Sequence, residues 1–130
     1  MQQGDTYTHR FTAGNAVYDG FISTFKDTNP LHTDAAFAQA KGFKDVVLHG
    51  NILNGFISYF VGMCLPVKNV MIQTQSIKYA LPVYMNDELE FTAEITGFFE
   101  SVNTYEFKFF FKNKEGKKVA KGELQIGLLK

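Results

Sequence analysis

The order of the elements predicts an α+β protein: one strongly apolar helix near the middle of the chain, then four strands joined by short turns. Two periodicities carry that reading. Ile52, Leu53, Phe56, Ile57, Phe60, Val61 and Cys64 recur at three- and four-residue spacings, the period of a helix face. Leu89, Phe91, Ala93 and Ile95 alternate with polar neighbours, and Tyr105, Phe107, Phe109 and Phe111 recur at every second position, which is the period of a strand with one buried face. The third observation is how little chain separates the strands. A curved antiparallel sheet wrapped around the helix satisfies all three.

Along the chain, Tyr7–Thr12 alternates and reads as a first strand. Asn15 is a suitable N-cap for a helix with Val17, Tyr18, Phe21, Ile22 and Phe25 on one face. Pro30 stops that helix, because it lacks an N–H and clashes with the preceding turn. Asp34 is placed to cap a short helix through Ala40, ended by Gly42. The central helix follows His49-Gly50, and its scarcity of polar positions predicts burial on most sides. Pro66 follows its end. Strands are then expected over Met71–Leu81, Glu88–Thr96, Asn103–Lys112 and Val119–Leu129, with a turn at Asn113–Gly116. There is no repeat, linker or low-complexity segment, so residues 1–130 are expected to form a single domain.

Composition narrows the classes of function. Thirteen Lys+Arg balance thirteen Asp+Glu, so nothing in the bulk charge favours nucleic acid or an anionic membrane. A local basic patch for a phosphate-bearing ligand would be hidden in that total. The run Ile52–Leu65 is too short and too interrupted to span a bilayer. Met1–Asp5 lacks the apolar stretch of a signal peptide. Cys64 stands alone, which bars an intrachain disulfide, and a cytoplasmic setting is expected. The fourteen Phe and six Tyr read first as core and interface material. Cys64 itself reads as a buried apolar position, and His9 as a surface strand residue.

The chemistry concentrates in Asp27-Thr28-Asn29-Pro30-Leu31-His32. On a helix, Asp27 and His32 would face different ways; the Asn-Pro break makes a turn that can aim both into one space. A carboxylate and an imidazole held this way suit general acid–base work. The plainer alternative is an Asx-turn at Asp27 and a surface histidine. His49-Gly50 opens the apolar helix, whose unpaired N–H groups and positive dipole end suit a carbonyl oxygen gaining negative charge. An ordinary helix start reads equally well from the residues alone. Ser58, mid-helix, most simply bonds back to a carbonyl one turn earlier. His32, Asp34 and His49 lack any standard metal-ligand spacing, and no metal or organic cofactor is expected.

Taken together these segments resemble the MaoC-like, R-specific enoyl-CoA hydratases of the hot-dog fold. The resemblance rests on Asp27–His32, Ala38, Gly42-Phe43, Val46–Leu48 and His49-Gly50, and on the passage Lys78–Glu88, similar to the family's Phe-x-x-Pro run into a strand. It implies reversible hydration of a trans-2-enoyl thioester to a 3-hydroxyacyl thioester. Asp27 and His32 match the catalytic pair, with His32 favoured as base and Asp27 as acid. The backbone N–H of Gly50 matches the oxyanion donor, Ser58 a helix serine that orders the site, and Asn29 and His49 stand with the substrate-binding set. An acyl-CoA or acyl-carrier-protein thioester is the implied partner, in a homodimer that extends the sheet. The departure is Phe25-Lys26, where that family has a small residue and glycine; Lys26 is expected to impose ordinary dihedrals and add bulk and charge at the pocket mouth. A hot-dog thioesterase and a non-catalytic acyl-thioester binding module are the alternatives.

Overall fold

Alternation in the second half of the chain and in its first strand produces five strands that close on one helix. The computed structural model describes residues 1–130. The strands are β1 (Thr6–Ala13), β2 (Val70–Tyr79), β3 (Asp87–Phe99), β4 (Thr104–Lys112) and β5 (Lys118–Leu128). The helices are α1 (Asn15–Phe25), the single turn α2 (Pro30–Thr33), α3 (Ala35–Ala40) and α4 (Asn51–Tyr59), the last continued by a π-helical turn over Phe60–Cys64. All strand pairs are antiparallel, in the order β1-β3-β4-β5-β2. No helix is long and apolar enough to cross a membrane.

Register explains the core. Phe91 faces Phe111, Ala93 faces Phe109, Ile95 faces Phe107, and Phe107 in turn faces Leu124. These inward residues are fully buried against Ile52, Leu53, Phe56, Ile57, Phe60 and Val61 of α4 and its extension. Edge and tilted ring contacts, such as Phe60 to Phe91 at 4.8 Å and Phe11 stacked on Phe56 at 4.4 Å, fill the space between helix and sheet. Register shifts between Ile72 and Thr74 and between Ile95 and Gly97 are bulges, which bend and twist the sheet around the helix. This is the hot-dog arrangement.

Most expected elements are present, with instructive differences. Residue 14, not Asn15, caps α1, and no side chain closes the cap. Asp34 does cap α3, accepting from the Phe37 N–H at 3.2 Å, and Gly42 (φ +95) lets the chain leave that helix. Helix α4 is not buried on most sides. Asn51, Gly55, Ser58, Tyr59, Gly62 and Met63 form an exposed stripe, because a helix lying on one sheet buries only the face it presents to that sheet. His9 is half-buried on the inner face, 4.6 Å from the Phe11 ring. Phe110, on the outer face, is covered within the chain by the ammonium groups of Lys112 (5.1 Å) and Lys118 (4.6 Å).

Gly122 marks the tightest point of the sheet. A Cβ there would lie 1.9 Å from the Ser76 carbonyl oxygen and 2.8 Å from Phe109 Cζ. Both neighbours are fixed by their own strands, so neither yields cheaply. Gly122→Ala is expected to destabilise the fold by about 3 kcal/mol, read as a lowered midpoint in urea; an unchanged midpoint would refute this packing.

Candidate active site

The site is assembled by a turn, a helix start and the strand of chain between them. Helix α1 ends at Lys26, whose N–H bonds to Ile22 O at 2.9 Å in a left-handed conformation (φ +63, ψ +18). The expectation of ordinary dihedrals at Lys26 is therefore wrong. Helix α1 must be capped and the chain turned sharply toward Asp27, and that geometry holds whichever residue occupies the position. Asp27 does form the Asx-turn: its Oδ1 accepts from the Asn29 N–H at 3.2 Å. Asn29 Oδ1 accepts from Leu31 N–H at 3.0 Å and so caps α2, with Pro30 in the first turn. Asn29 thus serves the turn, and its carbonyl oxygen is spent there.

His32 is fixed from two directions. Its Nδ1 lies 2.6 Å from the Val47 carbonyl. Val47 N–H returns a bond to Leu31 O at 3.0 Å. A carbonyl only accepts, so Nδ1 carries hydrogen and Nε2 of the neutral ring keeps its lone pair. That Nε2 stands 3.9 Å from Asp27 Oδ2. The separation is too long for a hydrogen bond but admits a water oxygen about 2.8 Å from both atoms. The Tyr18 hydroxyl bonds the His32 carbonyl, tying α1 to α2.

His49 is buried beneath this pair at 4% exposure. Its ring stacks on His32 with centroids 3.9 Å apart, and Phe21 covers it at 4.5 Å. Nε2 of His49 bonds the Asp27 backbone carbonyl at 2.8 Å, while Nδ1 is buried with no partner. Asp27, His32 and His49 place one ligand atom each within 4.8 Å of one another, whereas Asp34 caps α3 and stays apart. His49 Nε2, however, carries the hydrogen it gives to a carbonyl and has no lone pair left for a metal ion. The arrangement suits proton transfer: a lone pair on His32 and a half-exposed carboxyl group at Asp27, over an anchored floor.

At the start of α4 the N–H of Gly50 has no acceptor within the chain. The Tyr79 ring rests against this glycine, so close that a Cβ would lie 2.8 Å from Cε1. The Tyr79 hydroxyl is 3.2 Å from Asn54 Nδ2. An open groove of about 790 Å³ runs from Asp27 between α1 and α4, lined by Val17, Phe21, Phe25, Ile52 and Phe56. Gly50 itself borders a second cavity, of about 460 Å³, together with His32, Val47, Tyr79 and Pro82. Ser58 is exposed, about two turns beyond Gly50, and its hydroxyl makes neither the expected back-bond nor a contact with the pair. Cys64 sits 3.8 Å from His9 Nδ1. Burial pushes its thiol pKa up, outweighing the opposite pull of Lys68, in keeping with an unreactive cysteine.

Reading the residues alone missed three members: the Val47 carbonyl, Tyr18 and Tyr79. A backbone acceptor leaves no trace in side-chain identity. Tyr79 did leave one, since it stands where the resembling family has phenylalanine.

Comparison with known proteins bears on this geometry. Residues 15–109 match the family described as MaoC like domain. The chain is 36% identical over 83 residues to an (R)-specific enoyl-CoA hydratase of Aeromonas caviae, spanning 64% of this chain and 62% of that enzyme. It is 30% identical over 126 residues to a mitochondrial 3-hydroxyacyl-[acyl-carrier-protein] dehydratase of Arabidopsis thaliana, covering 95% of this chain and 75% of the relative. Among solved structures, an (R)-hydratase from A. caviae superposes with a TM-score of 0.90 at 28% identity, over 98% of this chain and 97% of that one.

The left-handed Lys26 generates a prediction of its own. A residue with a Cβ costs about 1–2 kcal/mol in that region, part of which glycine returns as greater freedom when unfolded. Lys26→Gly should raise stability by about 0.5–1 kcal/mol, seen as a higher denaturant midpoint. A lowered midpoint would mean that the lysine side chain stabilises the turn in another way.

Proposed function

The chain belongs to the MaoC-like domain family, and from that premise we propose that it hydrates trans-2-enoyl thioesters reversibly to (R)-3-hydroxyacyl thioesters. The observation that carries this reading is the His32–Val47 bond. It leaves His32 Nε2 as an open base, facing Asp27 across a gap the size of a water molecule. An unpaired N–H at Gly50 stands at the neighbouring helix start.

In the proposed sequence, water sits between His32 Nε2 and Asp27 Oδ2. His32 takes its proton as the oxygen adds to C3 of the enoyl thioester. Negative charge moves onto the thioester oxygen, which Gly50 N–H receives at the positive end of α4; a preorganised donor of this kind is worth about 3–4 kcal/mol in the transition state. Asp27, protonated at the start of the cycle, delivers that proton to C2, and the proton held on His32 then passes to Asp27 and resets the pair, so that the net change is addition of one water across C2 and C3. In the dehydration direction the two groups exchange roles. His49 holds the Asp27 backbone and the plane of His32. The apolar groove from Asp27 past Phe21, Phe25, Ile52 and Phe56 takes the acyl chain. The thioester is carried by coenzyme A or by an acyl carrier protein.

We take the working form to be a homodimer. The acyl groove lies open along α4, beside the uncovered stripe of Asn51, Gly55, Ser58 and Gly62, and a second copy would supply the missing wall. Ser58 would then meet that copy instead of solvent. Sedimentation equilibrium should give twice the chain mass; a monomer that hydrates at full rate would remove this part of the proposal.

Loss of crotonyl-CoA absorbance tests the activity. Asp27→Asn and His32→Ala should each lower kcat by about 10²- to 10⁴-fold, Asp27→Asn with little change in unfolding midpoint and His32→Ala, which gives up the bond to Val47, with a lowered midpoint. Release of free thiol without hydration would instead indicate a thioesterase. Tight binding of the thioester with neither reaction would indicate a binding module.

A further inference from the structure

Tyr79 packs against the proposed oxyanion donor, yet no step of the reaction uses it. Its ring faces Gly50 with no room for even a methyl group: a Cβ would lie 2.8 Å from Cε1 and 2.9 Å from Cζ. The ring is held in place from below. Its hydroxyl lies 3.2 Å from Asn54 Nδ2, which also reaches Asn51 Oδ1 at 2.8 Å, and Asn54 Oδ1 accepts from Gln75 Nε2 at 2.5 Å. This polar chain joins the inner face of β2 to the first turn of α4. Within the sheet, Tyr79 faces Ala120, a residue too small to push the ring aside. The backbone of Tyr79 continues into Ala80 and Leu81, whose N–H groups both bond Val119 O. The ring is therefore anchored at its root and at its tip.

We propose that Tyr79 is a positioning residue for the thioester carbonyl, its ring bracing Gly50 so that the free N–H stays aimed at the developing oxyanion. This rests on the reading of Gly50 as oxyanion donor given above. The physical argument is one of stiffness. Glycine has the largest backbone freedom of any residue, and at position 50 the helix has not yet accumulated the hydrogen bonds that would hold it. A donor that wobbles by about 1 Å loses a large part of its effect on the transition state. The ring, packed against the glycine, limits that freedom. It also explains why the residue must be glycine: any larger side chain would collide with the brace.

The test uses the full chain and two readouts. The first is crotonyl-CoA hydration by Tyr79→Ala and Tyr79→Phe. Tyr79→Ala should lower kcat by about 10- to 100-fold with KM changed less than about twofold, while Tyr79→Phe, which keeps the ring, should restore kcat to within about threefold of the parent. The second does not depend on turnover. 2,4-Hexadienoyl-CoA bound to the Asp27→Asn protein should show a red-shifted absorbance band, because a polarised carbonyl draws charge along the conjugated chain. Tyr79→Ala added to that background should abolish most of the shift. A preserved shift, a loss confined to KM, or a Tyr79→Phe variant as damaged as Tyr79→Ala would each overturn the proposal. If Tyr79→Ala fails to fold, Tyr79→Leu carries the same two readouts. A parent protein that shows the Tyr79-dependent shift but does not hydrate would refute the proposed function while leaving the bracing role standing.

Discussion

Everything in this molecule is arranged around one constraint: an uncharged helix must be buried against a single sheet. From Asn51 to Cys64 the chain carries no Asp, Glu, Lys, Arg or His, and its apolar stripe is removed from water by Phe91, Phe107 and Phe111 on the strands. Burial of a Phe or Leu side chain is worth about 1.5–3 kcal/mol, and the stripe supplies six such residues. The sheet must curl to reach around the helix, which is what the bulges near Gln73 and Thr96 accomplish. The N-terminal end of that helix carries free backbone donors and the positive end of the dipole, and the candidate site gathers there.

The segment between β1 and α4 acts as a bracket clamped onto that helix end. Its clamps are mostly backbone atoms: Val47 C=O for His32, Asp27 C=O for His49, His32 C=O for Tyr18. Using carbonyls has a chemical consequence. A carbonyl accepts from only one ring nitrogen, so the tautomer of each neutral histidine is written into the fold. The Asx-turn at Asp27 is compatible with its proposed catalytic role, because one carboxyl oxygen holds the turn and the other faces His32.

How much of this was legible beforehand follows from the range of each interaction. Strand faces such as Leu89–Ile95 and Tyr105–Phe111 were readable because alternation is local and one face is buried. The Asp27–His32 turn was readable because Asn29 and Pro30 force it within six residues. The exposed stripe on α4 was misread: Gly55, Ser58 and Gly62 are small enough to be counted with apolar neighbours, although their spacing marks a separate face. The left-handed Lys26 was also misjudged, since the conformation belongs to the helix end and not to the residue. What could not be read were pairings across long separations, such as Tyr79 on Gly50 or His49 beneath Asp27, which arise only when β2 and α1 are brought to the same helix end.

The covering of Phe110 by Lys112 and Lys118 has a consequence for the life of the chain before it is folded. The stretch Tyr105–Phe111 combines five aromatic rings with high strand propensity, the composition that drives unfolded segments into cross-β stacks. Lys108 interrupts that run and Lys112 closes it, while Lys118 reaches over from the neighbouring strand. Each contributes a positive charge that would repel its own copies in an in-register stack. The strand richest in rings at the centre of the core thus carries its own gatekeepers, on the face that the folded sheet turns toward water.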